Sequence, residues 1–143
     1  MKNFLLIASC LFAGAALAQA PGETTAWKVS DCDHACLSQF AQDYMSALAV
    51  RDASRLKAQP GVRFTENDVE LPFGKEGLWA TATGVAPSGM IAADTQTGQV
   101  AWIGTAEENG KPVYFALRLA VRGHAIAEAE TVVVRNTGLP LPF

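Results

Sequence analysis

The stretch from 113 to 135 constrains the fold more than any other part of this 143-residue sequence. It holds two long runs rich in apolar and β-branched residues, separated only by Gly123-His124, which predicts two antiparallel strands joined by a two-residue turn. Asn109-Gly110 just before it predicts a second hairpin, because a type I′ turn needs two residues at positive φ. The C-terminal third is therefore predicted to be an antiparallel meander.

This meander carries unusually placed charges. Arg118 lies between two leucines on the first strand, and Glu128 and Glu130 lie one strand period apart on the second. If both loops have two residues, Trp102 lies opposite Leu117, and Leu117 lies opposite Glu130. Alternation then places both glutamates on the Trp102 face and Arg118 on the other face. A register shift of one residue would move both acids to the opposite face.

The N-terminal half reads as helical. From His34 to Arg51, apolar residues recur every three or four positions, which is typical of one buried helix face. Asp33 is a plausible cap, and Asp52 begins a second short helix that Pro60-Gly61 ends. The apolar positions are Leu37, Phe40, Tyr44 and Leu48.

The order of elements indicates the fold class. A strand is predicted at 62–67, residues 79–83 fit either a short helix or the start of a strand, and the meander begins near Gly89. Helices followed by closely spaced antiparallel strands predict an α+β fold, in which a curved antiparallel sheet wraps around the N-terminal helices as a cone. We expect a single domain from 32 to 137, because the chain has the length of one domain.

The first eighteen residues predict export of the protein and not a part of its folded domain. A cationic start, an apolar run and small residues at its end are typical of a secretory signal peptide, with cleavage after Ala18. One alternative is a lipoprotein signal, in which Cys10 would be acylated. We expect an exported protein, periplasmic or secreted, with an N-terminal arm at 19–31 and a C-terminal tail at 138–143.

The net charge of the mature chain indicates which classes of partner it does not bind. Without Lys2 the mature chain has 10 basic and 14 acidic residues, a net charge of −4. No basic patch emerges, so we expect neither a nucleic acid nor, after signal cleavage, a membrane as partner.

The two cysteines of the mature chain, Cys32 and Cys36, predict a disulfide, because an exported protein meets an oxidising compartment. Spacing of i,i+4 at a helix start gives a Cα separation of about 6 Å, within the range of disulfides. A metal site that includes His34 is not expected, since three potential ligands within five residues cannot all converge.

Glu130 and Glu128 are the candidate catalytic acids. If they line an apolar pocket with Trp102 and Tyr44, burial would raise a carboxyl pKa towards acid–base use. The alternative is that the sheet curls and both glutamates face water.

Arg118 is either a structural ion-pair partner, to a loop acid such as Glu66 or Asp94, or a group that binds a substrate carboxylate. No metal or cofactor motif is present, and none is expected. The residues predicted to line the pocket are Trp102, Leu117, Trp79, Glu66 and Asp94.

Short motifs across residues 32 to 135 resemble a secreted family known as domain of unknown function 8021. They are Cys32-x-x-x-Cys36-Leu37, Asp43-Tyr44, Thr65-Glu66-Asn67, Gly77-Leu78-Trp79, Asp94, Thr97-Gly98-Gln99-Val100, Glu108-Asn109-Gly110, Leu117-Arg118-Leu119 and Ile126-x-Glu128-x-Glu130-Thr131. The family usually has Arg where this chain has His34.

That family is similar to the nuclear transport factor 2-like (SnoaL-like) superfamily, which implies a cone with a pocket for a small organic molecule. The superfamily includes isomerases, cyclases and lyases as well as members that only bind, so the resemblance does not choose the chemistry. Three functions remain open: cofactor-independent acid–base chemistry with Glu130 as base and Tyr44 or Arg118 stabilising an oxyanion, non-catalytic ligand binding, and a homodimerisation domain using the outer sheet face.

Overall fold

The computed structural model describes residues 31 to 135. Helix α1 (His34–Ala49) precedes a turn of 3₁₀ helix (Ala53–Arg55), strands β1 (Ala58–Glu66) and β2 (Val69–Glu70), and the short helix α2 (Leu78–Thr81). Five strands follow: β3 (Ala82–Val85), β4 (Met90–Asp94), β5 (Gln99–Glu108), β6 (Lys111–Arg122) and β7 (Ala125–Arg135). The predicted signal peptide with Cys10, almost all of the arm, and the tail lie outside the described residues.

Helix α1 forms where the apolar period predicts it. The Asp33 carboxylate caps it by accepting a hydrogen bond from Cys36 N at 2.8 Å. The predicted disulfide joins Cys32 to Cys36, with their Cα atoms 5.3 Å apart, and so fixes the start of the helix. Leu37, Tyr44 and Leu48 are buried against the sheet.

Seven strands form one curved sheet in the order β2-β1-β7-β6-β5-β3, and β4 also pairs with β5. All pairs are antiparallel except β1 and β7, which run parallel. The predicted α+β class is confirmed. The ambiguous segment at 79–83 contains both alternatives, since α2 runs directly into β3.

The register between β5 and β6 is as predicted, with Trp102 opposite Leu117. The predicted register between β6 and β7 is wrong. The ladder begins with Val121 opposite Ile126 but continues with Ala120 opposite Glu128, so Ala127 is an extra residue in β7. This β-bulge shifts the remaining pairs by one and reverses the faces of Glu128 and Glu130.

The inner face of the sheet packs on α1 and α2 and forms the core. The buried core residues of β5, β6 and β7 are Val100, Trp102, Ala106, Val113, Phe115, Leu117, Leu119, Val121, Ile126, Ala129 and Val133. The bulge also places Ala129 and Val133 on this inner face. Within residues 31 to 135, no helix is long and apolar enough to cross a membrane.

Candidate functional site

Arg118 forms an ion-pair cluster on the outer face of the sheet. Its Nε donates to Glu130 Oε2 at 2.8 Å, its second nitrogen contacts Glu128 Oε2 at 2.8 Å, and its third donates to Gln99 Oε1 at 2.7 Å. Arg63 adds a longer contact of 3.4 Å to Glu130. The expected partners of Arg118, Glu66 and Asp94, are replaced by acids of the neighbouring strand.

This cluster changes the expected chemistry of Glu130. The hydrogen bond from Arg118 holds the Glu130 pKa below its ordinary value, although partial desolvation opposes it. A base in an apolar pocket would show the opposite shift. Neither Glu130 nor Glu128 shares a face with Trp102, so the proposed pocket of Trp102, Tyr44 and two carboxylates is wrong.

Glu66 lies at the end of the inner face and holds two elements together. It is 6% exposed, accepts from Leu78 N at 2.6 Å, and pairs with Arg135 at 2.9 Å. Arg135 also binds Glu108, whose pKa it holds below the ordinary value by hydrogen bonding. Glu66 thus fixes α2 to the sheet, which is a structural role.

Trp79 and Tyr44 form a second buried contact. Trp79 Nε1 donates to Tyr44 Oη at 2.9 Å, and both side chains are almost fully buried. Burial raises the pKa of Tyr44 far above its ordinary value. Its hydroxyl is therefore a neutral acceptor inside the core and does not face a pocket.

Asp94 caps the turn between β4 and β5. Its carboxylate accepts from Thr97 Oγ1 at 2.6 Å and from Gln96 N at 2.9 Å, and these bonds lower its pKa. Asp94 and Arg118 do meet, but at a shallow, open outer groove of about 330 Å³, also lined by Gln99 and small residues.

A more enclosed cleft of about 240 Å³ lies between α1 and the loop after β3. Of the predicted pocket residues only Trp102 lines it, since Leu117 is packed in the core. The other lining residues are Gln42, Met45, Ser46, Val85, Ala86 and Pro87. Gln42 and Ser46 are exposed polar residues of α1, and polar residues four positions apart on a helix give no signal of a cleft.

Trp102 is held in place by two glycines. A Cβ at Gly89, in the β3–β4 loop, or at Gly104, two residues further along β5, would collide with the indole ring. Within residues 31 to 135, Trp102 Nε1 has no hydrogen-bond acceptor. Every fully buried side-chain nitrogen or oxygen in the same residues does have a partner, so Trp102 Nε1 is not fully buried. The indole N–H therefore keeps some contact with solvent, although Trp102 as a whole is buried.

The outer face also carries an apolar strip, formed by Met90, Ile103, Val132 and Val134. These side chains are 48–64% exposed, and strand pairing places them on the same face as Arg118. An exposed apolar strip of this kind is typical of an interaction surface.

Comparison with solved structures identifies the fold. A nuclear transport factor 2-like protein of unknown function from Cytophaga hutchinsonii matches with a TM-score of 0.53 and 10% identity, over 68% of this chain and 88% of that chain. AclR from Streptomyces galilaeus matches with a TM-score of 0.54 and 16% identity, over 71% and 76%.

A de novo designed protein with a curved β-sheet matches equally well, with a TM-score of 0.55 and 15% identity over 71% of this chain and 87% of that chain. The chain therefore has the nuclear transport factor 2-like fold, and the designed match illustrates that the fold alone does not specify a function. No protein-family model matches the sequence, and no curated protein is significantly similar to it.

Proposed function

We propose that this protein binds a small organic molecule in the cleft between α1 and the β3–β4 loop, without acid–base catalysis. The observation that carries this proposal is the lining of the cleft. It combines an indole N–H, the amide of Gln42 and the hydroxyl of Ser46 with apolar side chains, and contains no titratable group. Polar and apolar atoms contribute about equally to the lining of this cleft, and ligand sites use a few placed polar groups to orient a molecule against apolar walls.

The size and polarity of the cleft suggest the class of ligand. Its volume of about 240 Å³ is below the roughly 300–1,000 Å³ of pockets for drug-sized molecules. Trp102 supplies an aromatic wall and one donor, and Ser46 Oγ already donates to Gln42 O at 2.9 Å, so it offers an acceptor. We infer an uncharged, flat molecule of one substituted ring that carries a carbonyl or hydroxyl group.

Acid–base chemistry has less support. Glu128 and Glu130 lie on the outer face, paired with Arg118, and Tyr44 is hydrogen-bonded in the core. None of these groups can reach a molecule in the cleft. A ligand bound there would be held and released unchanged.

The test is a screen of uncharged ring compounds bearing one carbonyl group, followed by tryptophan fluorescence and thermal shift. We expect binding that changes Trp102 emission and is lost in Gly89→Ala, whose added methyl displaces the indole. Ser88→Ala, at an exposed neighbouring position, is the matched control and should bind normally. Chemical conversion of the ligand by the wild type but not by Gly89→Ala would contradict a purely binding role.

Homodimerisation through the outer face is a second candidate, favoured by the apolar strip. Beside the strip, the positive charges of Arg63 and Arg118 cancel the negative charges of Glu128 and Glu130. The whole chain has a net negative charge, so two copies would repel each other less through this face than through an average part of their surface. Val132→Lys should yield a monomer in light-scattering chromatography. Val50→Lys is the control, because Val50 is 51% exposed and Val132 52%, but Val50 lies at the end of α1. A wild type that is monomeric at every concentration would exclude this candidate.

We further propose that the chain is an exported member of the domain of unknown function 8021 family. The support is the sequence pattern of its first eighteen residues and the motifs between 32 and 135. Expression of the full chain with a periplasmic fractionation and N-terminal sequencing tests this. A mature protein that begins at Gln19 supports export with cleavage after Ala18, and an uncleaved cytosolic chain contradicts it.

A further inference from the structure

We propose that Cys32, Cys36 and His124 form a redox-gated site for a divalent cation that prefers thiolate ligands, such as Zn²⁺. The site is closed while the disulfide is intact and becomes available when the disulfide is reduced. The histidine comes from the turn between β6 and β7, 88 residues from Cys36 along the chain. This is why the local spacing of the cysteines gives no sign of it.

The spacing of Cys36 and His124 fits two ligands of one tetrahedral metal ion, and Cys32 lies close enough to be a third. Cys36 Sγ lies 3.6 Å from His124 Nδ1, and one ligand atom from each of the three residues lies within 4.8 Å of the others. Zinc bonds of about 2.3 Å to sulfur and about 2.0–2.1 Å to nitrogen, at a tetrahedral angle, require a sulfur–nitrogen distance of about 3.6 Å. The observed distance between Cys36 Sγ and His124 Nδ1 matches this value. The two sulfurs are bonded to each other in the disulfide, and after reduction they must move apart to the roughly 3.8 Å that the same bond lengths and angle require.

Asp31 supports the histidine from the opposite side. Its Oδ2 lies 3.7 Å from His124 Nε2, the nitrogen that would remain protonated when Nδ1 binds a metal. This is longer than a hydrogen bond, so the carboxylate must move several tenths of an ångström closer to hold the ring. A carboxylate at the second ring nitrogen fixes the tautomer and raises the basicity of a metal-bound histidine. Cys36 and His124 are partly exposed, so a fourth ligand, water or a small molecule, can reach the ion.

The β6–β7 turn holds the ring of His124 beside the disulfide. His124 has a φ of 54° and Gly123 a φ of 57°, the conformation of a tight type I′ turn. Asparagine or glycine is the favoured residue at such a position. Histidine is also among the residues enriched at positive φ, and here its ring reaches the disulfide.

Reduction of the Cys32–Cys36 disulfide by a dithiol opens the site. Two electrons and two protons pass from the dithiol to the Cys32–Cys36 bond, which breaks to give two thiols, and the reductant becomes a cyclic disulfide. Binding of the cation then releases the two thiol protons and forms two metal–sulfur bonds and one metal–nitrogen bond. Oxidation by a small-molecule disulfide, which takes up two electrons from the two thiolates and two protons from the solvent to become two thiols, reforms the Cys32–Cys36 bond and releases the ion.

The experiment uses mature protein reduced with a dithiol, separated from it without oxygen, and titrated with Co²⁺ as a coloured substitute for Zn²⁺. We expect one equivalent to bind, with a sulfur-to-cobalt charge-transfer band and the intense visible bands of a tetrahedral ion. Added Zn²⁺ should displace the cobalt and raise the Tm of the reduced protein. The oxidised protein should show neither effect.

Two substitutions distinguish this site from simple binding to two thiols. His124→Asn keeps a residue suited to the turn, and should weaken cobalt binding by about 10-fold or more. Asp31→Asn should weaken it by about 10-fold, in the range known for groups that support a metal ligand. His34→Asn is the matched control, since His34 bonds only Ser38 in the described structure and should not change affinity.

Equal cobalt affinity in wild type and His124→Asn would overturn the proposal, as would the absence of a tetrahedral spectrum. Near-ultraviolet circular dichroism of the reduced protein shows whether it is still folded. If the native signal is lost on reduction and Zn²⁺ does not restore it, the proposal is also overturned.

Discussion

Arg118 lies directly opposite Glu130 on the neighbouring strand, and the two side chains are joined at 2.8 Å. This pairing exists because Ala127 is an extra residue in β7. Without the bulge, Leu117 would face Glu130, and a carboxylate would enter the core. The bulge thus separates the charged outer face from the apolar inner face.

We predict that Arg118→Met lowers the free energy of unfolding by about 1 kcal/mol, since the methionine keeps the packing of the aliphatic stem while three charge contacts are lost. The side chains are 32–43% exposed, which limits the effect. Urea denaturation at low and high salt measures it, and the difference should shrink at high salt. A loss that salt leaves unchanged would contradict an electrostatic origin.

The same pair predicts a dependence on pH. The folded-state pKa of Glu130 lies below its ordinary value of 4.5, so its stabilising contribution is complete above that value and is lost as the pH falls through the folded-state pKa. The stability difference between wild type and Glu130→Gln should therefore be constant near neutral pH and shrink as the pH falls below about 4.5. Glu70→Gln is the control, because Glu70 is exposed and has no ion pair within the described residues.

The bulge itself can be tested by two deletions. Removing Ala127 leaves Ala120 opposite Glu128 and keeps both acids outside, so the protein should fold with a regular ladder. Removing Ala129 forces one of the two glutamates inward and should cost several kcal/mol or prevent folding, because a buried unpaired charge is strongly destabilising. Equal urea midpoints for the two variants would contradict this assignment of the bulge.

The bulge separates the features of the fold that the sequence predicts from those that it does not. The helix at 34, both two-residue turns, the disulfide and the α+β class follow from local signals in the chain. Ala127 carries no such signal, because a bulge in an Ala-Glu-Ala-Glu run looks like regular alternation, and one extra residue reverses every face after it. The cleft was missed for another reason: Gln42 and Ser46 meet the β3–β4 loop only through tertiary packing.

Arg135 is predicted to matter more than its exposed position suggests. Arg135→Gln leaves the buried carboxylate of Glu66 without its cation, and should cost about 2 kcal/mol, less than the 3–5 kcal/mol typical of fully buried pairs because Arg135 is partly exposed. Arg63→Gln, a surface contact, should cost less than about 0.5 kcal/mol. The double variant Glu66→Gln/Arg135→Gln should be more stable than Arg135→Gln, and a further loss would contradict this account.

The Tyr44 hydroxyl should ionise only when the protein unfolds. Its pKa is raised by burial, so the folded state disfavours tyrosinate, and the resulting stability is complete below the ordinary value of 10.0 and is lost as the pH rises above it. In an alkaline titration followed by tyrosine absorbance, one group should therefore ionise together with the loss of near-ultraviolet circular dichroism. Tyr44→Phe should remove that step.

Tyr44→Phe should also cost about 1–2 kcal/mol at neutral pH, because Trp79 Nε1 is left buried without its acceptor. Adding Trp79→Phe removes the orphaned donor, so the double variant should lose less than the sum of the two single losses. Strict additivity would mean that the 2.9 Å contact contributes nothing. In that case the T-shaped packing of the two rings, whose centroids lie 5.1 Å apart, would hold Tyr44 in place without the hydrogen bond.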